Sequence, residues 1–163
     1  MISKNLGRNF IINSFLTILI FLLDRISKVY VIYLDKRFIG SEIFSSKYLN
    51  INLIWNDGIA FGLLSFDQES LYNLLTIFII LIIFFILVMI FKNSGLSQFA
   101  LIMILGGALG NVFDRILYKS VPDFIDFHVG NFHWFIFNVA DIFITLGVFF
   151  MIIIELSNNK QKI

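Results

Sequence analysis

The chain has 163 residues, a length that fits one domain, and 59% of them are hydrophobic while only 14% are charged. With 21 Phe, a mean hydropathy of +0.92 and a net charge of +1, the sequence excludes an ordinary soluble fold and offers no charged surface for a nucleic-acid partner. The absence of Cys removes disulfides, a thiol nucleophile and thiolate metal ligation together.

Lys4 and Arg8 precede an apolar stretch that runs over 10–34, interrupted mainly by Asp24, Arg25 and Lys28. No small-residue cleavage site follows, so the segment is predicted to be a retained transmembrane helix and not a signal peptide. Charges inside such a helix cost at least about 2.5–3.5 kcal/mol each at its centre and therefore need partners. Asp24 and Lys28 are four apart with the acid first, the favourable order for an ion pair. The pair fits a structural brace, and Asp24 equally fits an acid that orients a catalytic neighbour. Arg25 is expected to point elsewhere and snorkel.

The following loop, 35–70, is not featureless. Tyr48–Trp55 alternates, with Leu49, Ile51, Leu53 and Trp55 on one face and Asn50 and Asn52 on the other, which predicts a strand. Asn56, Asp57 and Gly58 then supply a turn, and Ile59–Leu64 is expected to return as a second strand. A second transmembrane helix is predicted over 71–91, followed by the stop signal Asn93-Ser94-Gly95.

The third helix, predicted over 99–116, changes character along its length. Gly106 and Gly110 have the small-xxx-small spacing that lets another helix approach. Asn111, Asp114 and Arg115 then stack at three- and four-residue spacing. They form either a hydrogen-bonded brace or a direct contact to substrate. Next, Pro122 fixes the backbone ahead of Asp123, and Asp123 and Asp126 are expected in a loop. His128 and His133 are five apart in the same loop without an adjoining Glu, and are expected at the surface or the membrane interface. The fourth helix is predicted over 135–156, with Asn138 and Asp141 three apart on one side and Ala140 between them. Asp141 lies well past the start of that apolar stretch and is not expected to be a solvated cap.

The expected fold is an all-α membrane protein. It has four transmembrane helices and a small extracytoplasmic β-sheet platform over 44–66 and 120–134, all in one membrane-embedded domain over 1–163. Trp55, Trp134 and Tyr48 suit a membrane–water boundary. Lys4, Arg8, Lys92, Lys160 and Lys162 fall on one side of four helices, which predicts that both termini are cytoplasmic.

The chemistry is narrowed by what is missing. There is no HExxH pair, no nucleophile elbow and no phosphate-cradling loop, so no metal or cofactor is expected. Several carboxylates instead converge on one end of the bundle. Two such groups held close cannot both ionise cheaply, so they share a proton: one takes a proton from water while the other donates to the scissile carbonyl. Spacing alone does not select which aspartates these are. A proton or ion transporter and a non-catalytic assembly subunit also fit acids in a membrane.

Five blocks narrow the choice: D-R-I-S-K at 24–28, N-D-G-I-A-F at 56–61, G-G-A-L-G-N-V-F-D-R at 106–115, V-P-D-F at 121–124 and F-N-V-A-D at 137–141. In this order they resemble the motifs of bacterial lipoprotein signal peptidase, the signal peptidase II family of intramembrane aspartyl proteases. The resemblance implies an endopeptidase of the bacterial cytoplasmic (inner) membrane, active near its extracytoplasmic face, that removes signal peptides from prolipoproteins by cutting before a diacylglyceryl-modified cysteine. By motif position it implies Asp123 and Asp141 as the catalytic dyad. It implies supporting or substrate-binding roles for Asp24, Lys28, Asn56, Gly58, Gly110, Asn111, Asp114, Arg115, Asn138 and Ala140. The implied partners are lipid-modified prolipoproteins and membrane lipid, with the chain a monomer.

Overall fold

The computed structural model describes residues 2–38, 42–58 and 69–160. The elements follow the order α1 (Ile2–Phe38), β1 (Phe44–Ser45), β2 (Leu49–Asn56), α2 (Glu69–Lys92), α3 (Gly95–Tyr118), β3 (Val121–Val129), β4 (Phe132–Phe137) and α4 (Val139–Lys160). The strands form one antiparallel sheet in the order β1-β2-β3-β4. Of the four helices, α2, α3 and α4 are long and apolar enough to cross a membrane. The helix α1 is longer still and carries the buried charges Asp24, Arg25 and Lys28.

The helix α3 is the hub and packs against α1, α2 and α4. Its buried side chains, including Leu101, Ile102, Met103 and Leu105, meet Ile20 of α1 and Ile83, Ile86 and Ile90 of α2. The outer surfaces of α1, α2 and α4 are apolar and exposed, with Phe15, Phe84, Phe85, Phe91 and Phe149 all turned away from the bundle. In water that surface would be a liability; in a bilayer it faces a solvent of its own kind. Two glycines of α3 set the helix spacing toward the end of the bundle that carries the sheet. A Cβ on Gly107 would lie 2.5 Å from the Ala140 carbonyl oxygen, and one on Gly110 would strike the Asp24 carboxylate. Ala140 is fully buried against this face.

Two expectations need correction. The fourth helix begins at Val139, later than expected, because 132–137 is spent as strand β4 pairing with β3. Asp123 and Asp126, expected in the loop ahead of the last helix and inside the 120–134 platform, lie within strand β3 of that sheet. The turn sits at Gly130, whose φ of 60° favours a glycine, and the residues before it alternate buried and exposed from Phe124 to Val129 in the manner of a strand with one covered face. The expected return strand at Ile59–Leu64 lies outside the described residues; β2 is flanked by β1 and β3. The sheet turns an apolar rim outward, with Tyr48, Trp55, Phe127, Phe132 and Trp134 exposed. That is the composition of a membrane–water boundary.

Candidate active site

The acid of β3 and the acid heading α4 are brought together by the local rules of a helix start and a strand bulge. Asn138 is the residue before α4. Its side-chain Oδ1 accepts the Asp141 N–H at 3.1 Å, and its own N–H donates to Asp141 Oδ2 at 3.1 Å. This reciprocal pair is a capping box with Asn in place of Ser and Asp in place of Glu. Asp141 thus takes part in the cap of α4 without being a solvated one, its two oxygens being held by Asn111 and Asn138. It reaches the cap because the helix starts four residues later than its apolar stretch. Another orphan N–H of that first turn, that of Ala140, donates to Asp24 Oδ1 at 3.0 Å.

The cap leaves the Asn138 amide NH2 free to point away from the helix, and it donates to Asp123 Oδ1 at 2.6 Å. The other oxygen of Asp123, Oδ2, accepts from Asn56 Nδ2 at 2.8 Å. Asn56 reaches it because of a β-bulge. The pairs Leu49↔Phe127, Asn50↔Asp126 and Ile51↔Ile125 give way to Ile54↔Asp123, Trp55↔Pro122 and Asn56↔Val121, so β2 holds one extra residue between Ile51 and Ile54. Without that residue, strict alternation would leave Asn56 on the opposite face from Asp123. Asn56 Oδ1 meanwhile accepts the Gly58 N–H at 2.9 Å, and the Gly58 carbonyl accepts from Arg115 Nη2 at 3.0 Å. Arg115 Nη1 also donates to the Asn111 carbonyl at 3.2 Å, which ties the platform turn to α3.

Asn111 links the two acids from the bundle side. Its Nδ2 donates to Asp141 Oδ1 at 2.8 Å, and its Oδ1 accepts from Asn138 Nδ2 at 3.2 Å and from Lys28 Nζ at 2.9 Å. Lysine can only donate, so Lys28 fixes which end of the Asn111 amide faces Asp141. All three asparagines are oriented in this way by a group that permits one arrangement, and each then presents NH2 to a carboxylate.

Beneath them lies a buried four-charge cluster. The Lys28 ammonium meets Asp24 Oδ2 at 2.9 Å and Asp114 Oδ2 at 2.7 Å, and both carboxylates and the lysine have no exposure. Arg25 does not snorkel: its Nη1 lies 2.6 Å from Asp114 Oδ1, and its guanidinium sits over the Phe113 ring at 5.0 Å. Sequence reasoning missed it because it counted one partner per acid. Two buried acids and two buried bases balance, and the depth of Arg25 in an apolar helix was the available signal.

Asp123 is 3% exposed. Burial pushes its carboxyl up to about 6, with the neighbouring Asp141 charge adding to the rise and the Asn56 and Asn138 amides opposing it. Asp126, His128 and His133 stand apart from this cluster, on β3 and β4. His128 is buried, contrary to the expectation of a surface role, because the even-numbered residues of β3 face inward beyond Phe124.

The chain is similar to known proteins over most of its length. A family model for signal peptidase (SPase) II matches residues 16–157. A lipoprotein signal peptidase of Pelagibacter ubique is 48% identical over 155 residues, covering 95% of this chain and 93% of that protein. One from Anaplasma phagocytophilum is 38% identical over 144 residues, covering 85% and 88%. A solved structure described as a bacterial membrane enzyme determined by the in meso method at 2.3 Å superposes with a TM-score of 0.72 at 30% identity, over 93% of this chain and 91% of that one.

Proposed function

The chain belongs to the signal peptidase II family, and we propose that it hydrolyses its peptide bond with Asp123 and Asp141 acting as one proton-sharing pair. The observation that carries this reading is the shared asparagine. One residue, Asn138, holds Asp123 by its side chain and Asp141 by its main chain. An acid raised to about 6 beside a second acid favours a single proton shared between the two. The ionised member takes a proton from a water molecule, the oxygen attacks the scissile carbonyl, and the protonated member donates to the carbonyl oxygen. Collapse of the tetrahedral species then returns a proton to the departing nitrogen. The asparagine donors fix both carboxylates, and water is the only nucleophile required.

The substrate is a prolipoprotein, cut before its diacylglyceryl-modified cysteine. Its acyl chains lie against the exposed Phe-rich helices, where membrane lipid otherwise sits. Residues 1–163 act as a single peptidase unit and as a monomer in the bacterial inner membrane. Both termini are cytoplasmic, and the dyad is near the extracytoplasmic face under the sheet. Asn111 and Asn138 orient the acids. Asp24, Lys28, Asp114 and Ala140 hold the α1–α3–α4 junction that carries them, and Gly110 leaves room for it. Asn56, Gly58 and Arg115 seat the platform.

The test is cleavage of a lipidated prolipoprotein by the purified chain and by Asp123→Asn and Asp141→Asn. Removing a general acid or base typically costs on the order of 10²–10⁴ in rate, so each variant should retain at most a trace of turnover. Near-normal turnover by either variant, once shown to be folded by circular dichroism, removes the assignment.

A further inference from the structure

Away from the dyad, three side chains with metal-ligating atoms meet on the β3–β4 hairpin. Asp126, His128 and His133 each offer one ligand atom, and these atoms all lie within 4.8 Å of one another. The meeting depends on a second bulge. The pairs Ile125↔Phe137 and Asp126↔Ile136 give way to His128↔His133 and Val129↔Phe132, so β4 holds one extra residue opposite Phe127. In an unbroken register His128 would oppose Trp134, and His133 would fall on the other face. The bulge transfers His133 to the face that Asp126 and His128 share, and bulges commonly serve to re-aim a side chain in this way.

The surroundings are those of a ligand set with one member unemployed. Asp126 is 5% exposed and His128 is 9% exposed. His133 Nδ1 lies 2.9 Å and 3.1 Å from the two Asp126 oxygens. The two imidazoles stack at 5.0 Å between centroids, 21° from parallel. His128 Nδ1 is buried and has no hydrogen-bond partner. A buried imidazole nitrogen without a partner loses a hydrogen bond it would have had in water. A cation taken up through that nitrogen would remove that loss.

We propose that Asp126, His128 and His133 form a divalent transition-metal site of the zinc class on the outer platform, with its fourth position open to water. Two imidazoles and one carboxylate suit zinc or cobalt and are a poor set for calcium or magnesium, which prefer oxygen. Metal bonds of about 2.1 Å in a tetrahedron put ligand atoms about 3.4 Å apart. Closing from the present spacing is a matter of side-chain rotation, which the His133 side chain, 54% exposed, is free to make. The bound ion takes the place of the proton between His133 and Asp126 and releases it to solvent. It joins β3 to β4 three residues along from Asp123, whose own oxygens are engaged by Asn56 and Asn138. Its effect is to stiffen the hairpin.

The experiment uses the full chain in detergent micelles with any affinity tag removed, stripped by a chelator and titrated with cobalt chloride and then zinc chloride. One cobalt ion per chain should bind with a visible ligand-field band of a four- or five-coordinate site, and zinc should displace it. Zinc should also raise the thermal midpoint by several degrees. His133→Ala, chosen because its side chain is half exposed, should fold as the parent does without metal and bind zinc at least about tenfold more weakly. Asp126→Asn should weaken zinc similarly. Absence of a saturable cobalt band overturns the site, as does zinc affinity unchanged in His133→Ala, which would place the ion elsewhere.

Discussion

Replacing Lys28 by Met tests the buried charge cluster directly. Its ammonium donates to Asp114 Oδ2 and Asn111 Oδ1 and forms an ion pair with Asp24 Oδ2, all between 2.7 and 2.9 Å. Removing it leaves Asp24 and Asp114 against Arg25 alone, a net negative charge with no exposure. Breaking a buried pair from one side costs about 3–5 kcal/mol, a large part of a total stability of roughly 5–15 kcal/mol. The double variant Asp24→Asn with Lys28→Met restores neutrality. It keeps the Arg25–Asp114 contact at 2.6 Å and an amide oxygen for the Ala140 N–H. It should therefore be more stable than Lys28→Met alone. Unfolding in mixed detergent–SDS micelles, followed by circular dichroism, gives the four corners of the cycle. The reasoning fails if Lys28→Met costs under about 1 kcal/mol, or if the double variant costs the sum of the two singles.

The pH dependence follows from Asp123. Its carboxyl is raised to about 6, so its proton is held below that pH and lost above it, and kcat/KM should fall as pH rises through 6. A profile level from pH 5 to 8 would contradict this. Stability has the same sign: an acid raised from an ordinary value of about 3.9 contributes fully below pH 4 and loses that contribution through pH 6, about 3 kcal/mol in all. Asp123→Asn should gain on the parent by about that amount between pH 4 and pH 8, and parallel unfolding curves at the two pH values would refute it. Gly107→Ala places a Cβ 2.5 Å from a backbone oxygen of α4. Overpacking of this kind typically costs about 1–3 kcal/mol, and because the strain falls beside Ala140 and Asp141, turnover should drop as well. An unchanged thermal midpoint would show that α3 and α4 separate freely.

Much of this architecture was legible from the chain. The helices announce themselves by apolar length, and the acid–base spacing of Asp24 and Lys28 anticipates their contact at 2.9 Å. The strand at 48–55 was visible from alternation. What was hidden was the consequence of single extra residues. No propensity marks Ile51 to Ile54 as a bulge, yet it decides which face Asn56 occupies. The β4 bulge likewise decides the face of His133. The start of α4 was misplaced because Phe135, Ile136 and Phe137 serve equally as strand or helix by hydrophobicity, and tertiary pairing with β3 settles it. Asp123 and Asp141 could not be singled out by spacing, since their meeting is a long-range event across 18 residues of hairpin and cap.

The reciprocal bonds at the start of α4 have a consequence for assembly. The turn that nucleates the last helix is also the turn that gathers the site. Asn138 touches Asp123, Asp141 touches Asn111, and Ala140 touches Asp24, all within one revolution of backbone. If that single turn unravels, the three long-range ties are lost in one step. The ties from α4 to β3, α3 and α1 therefore depend on one turn, and a chain that has not formed it lacks all three.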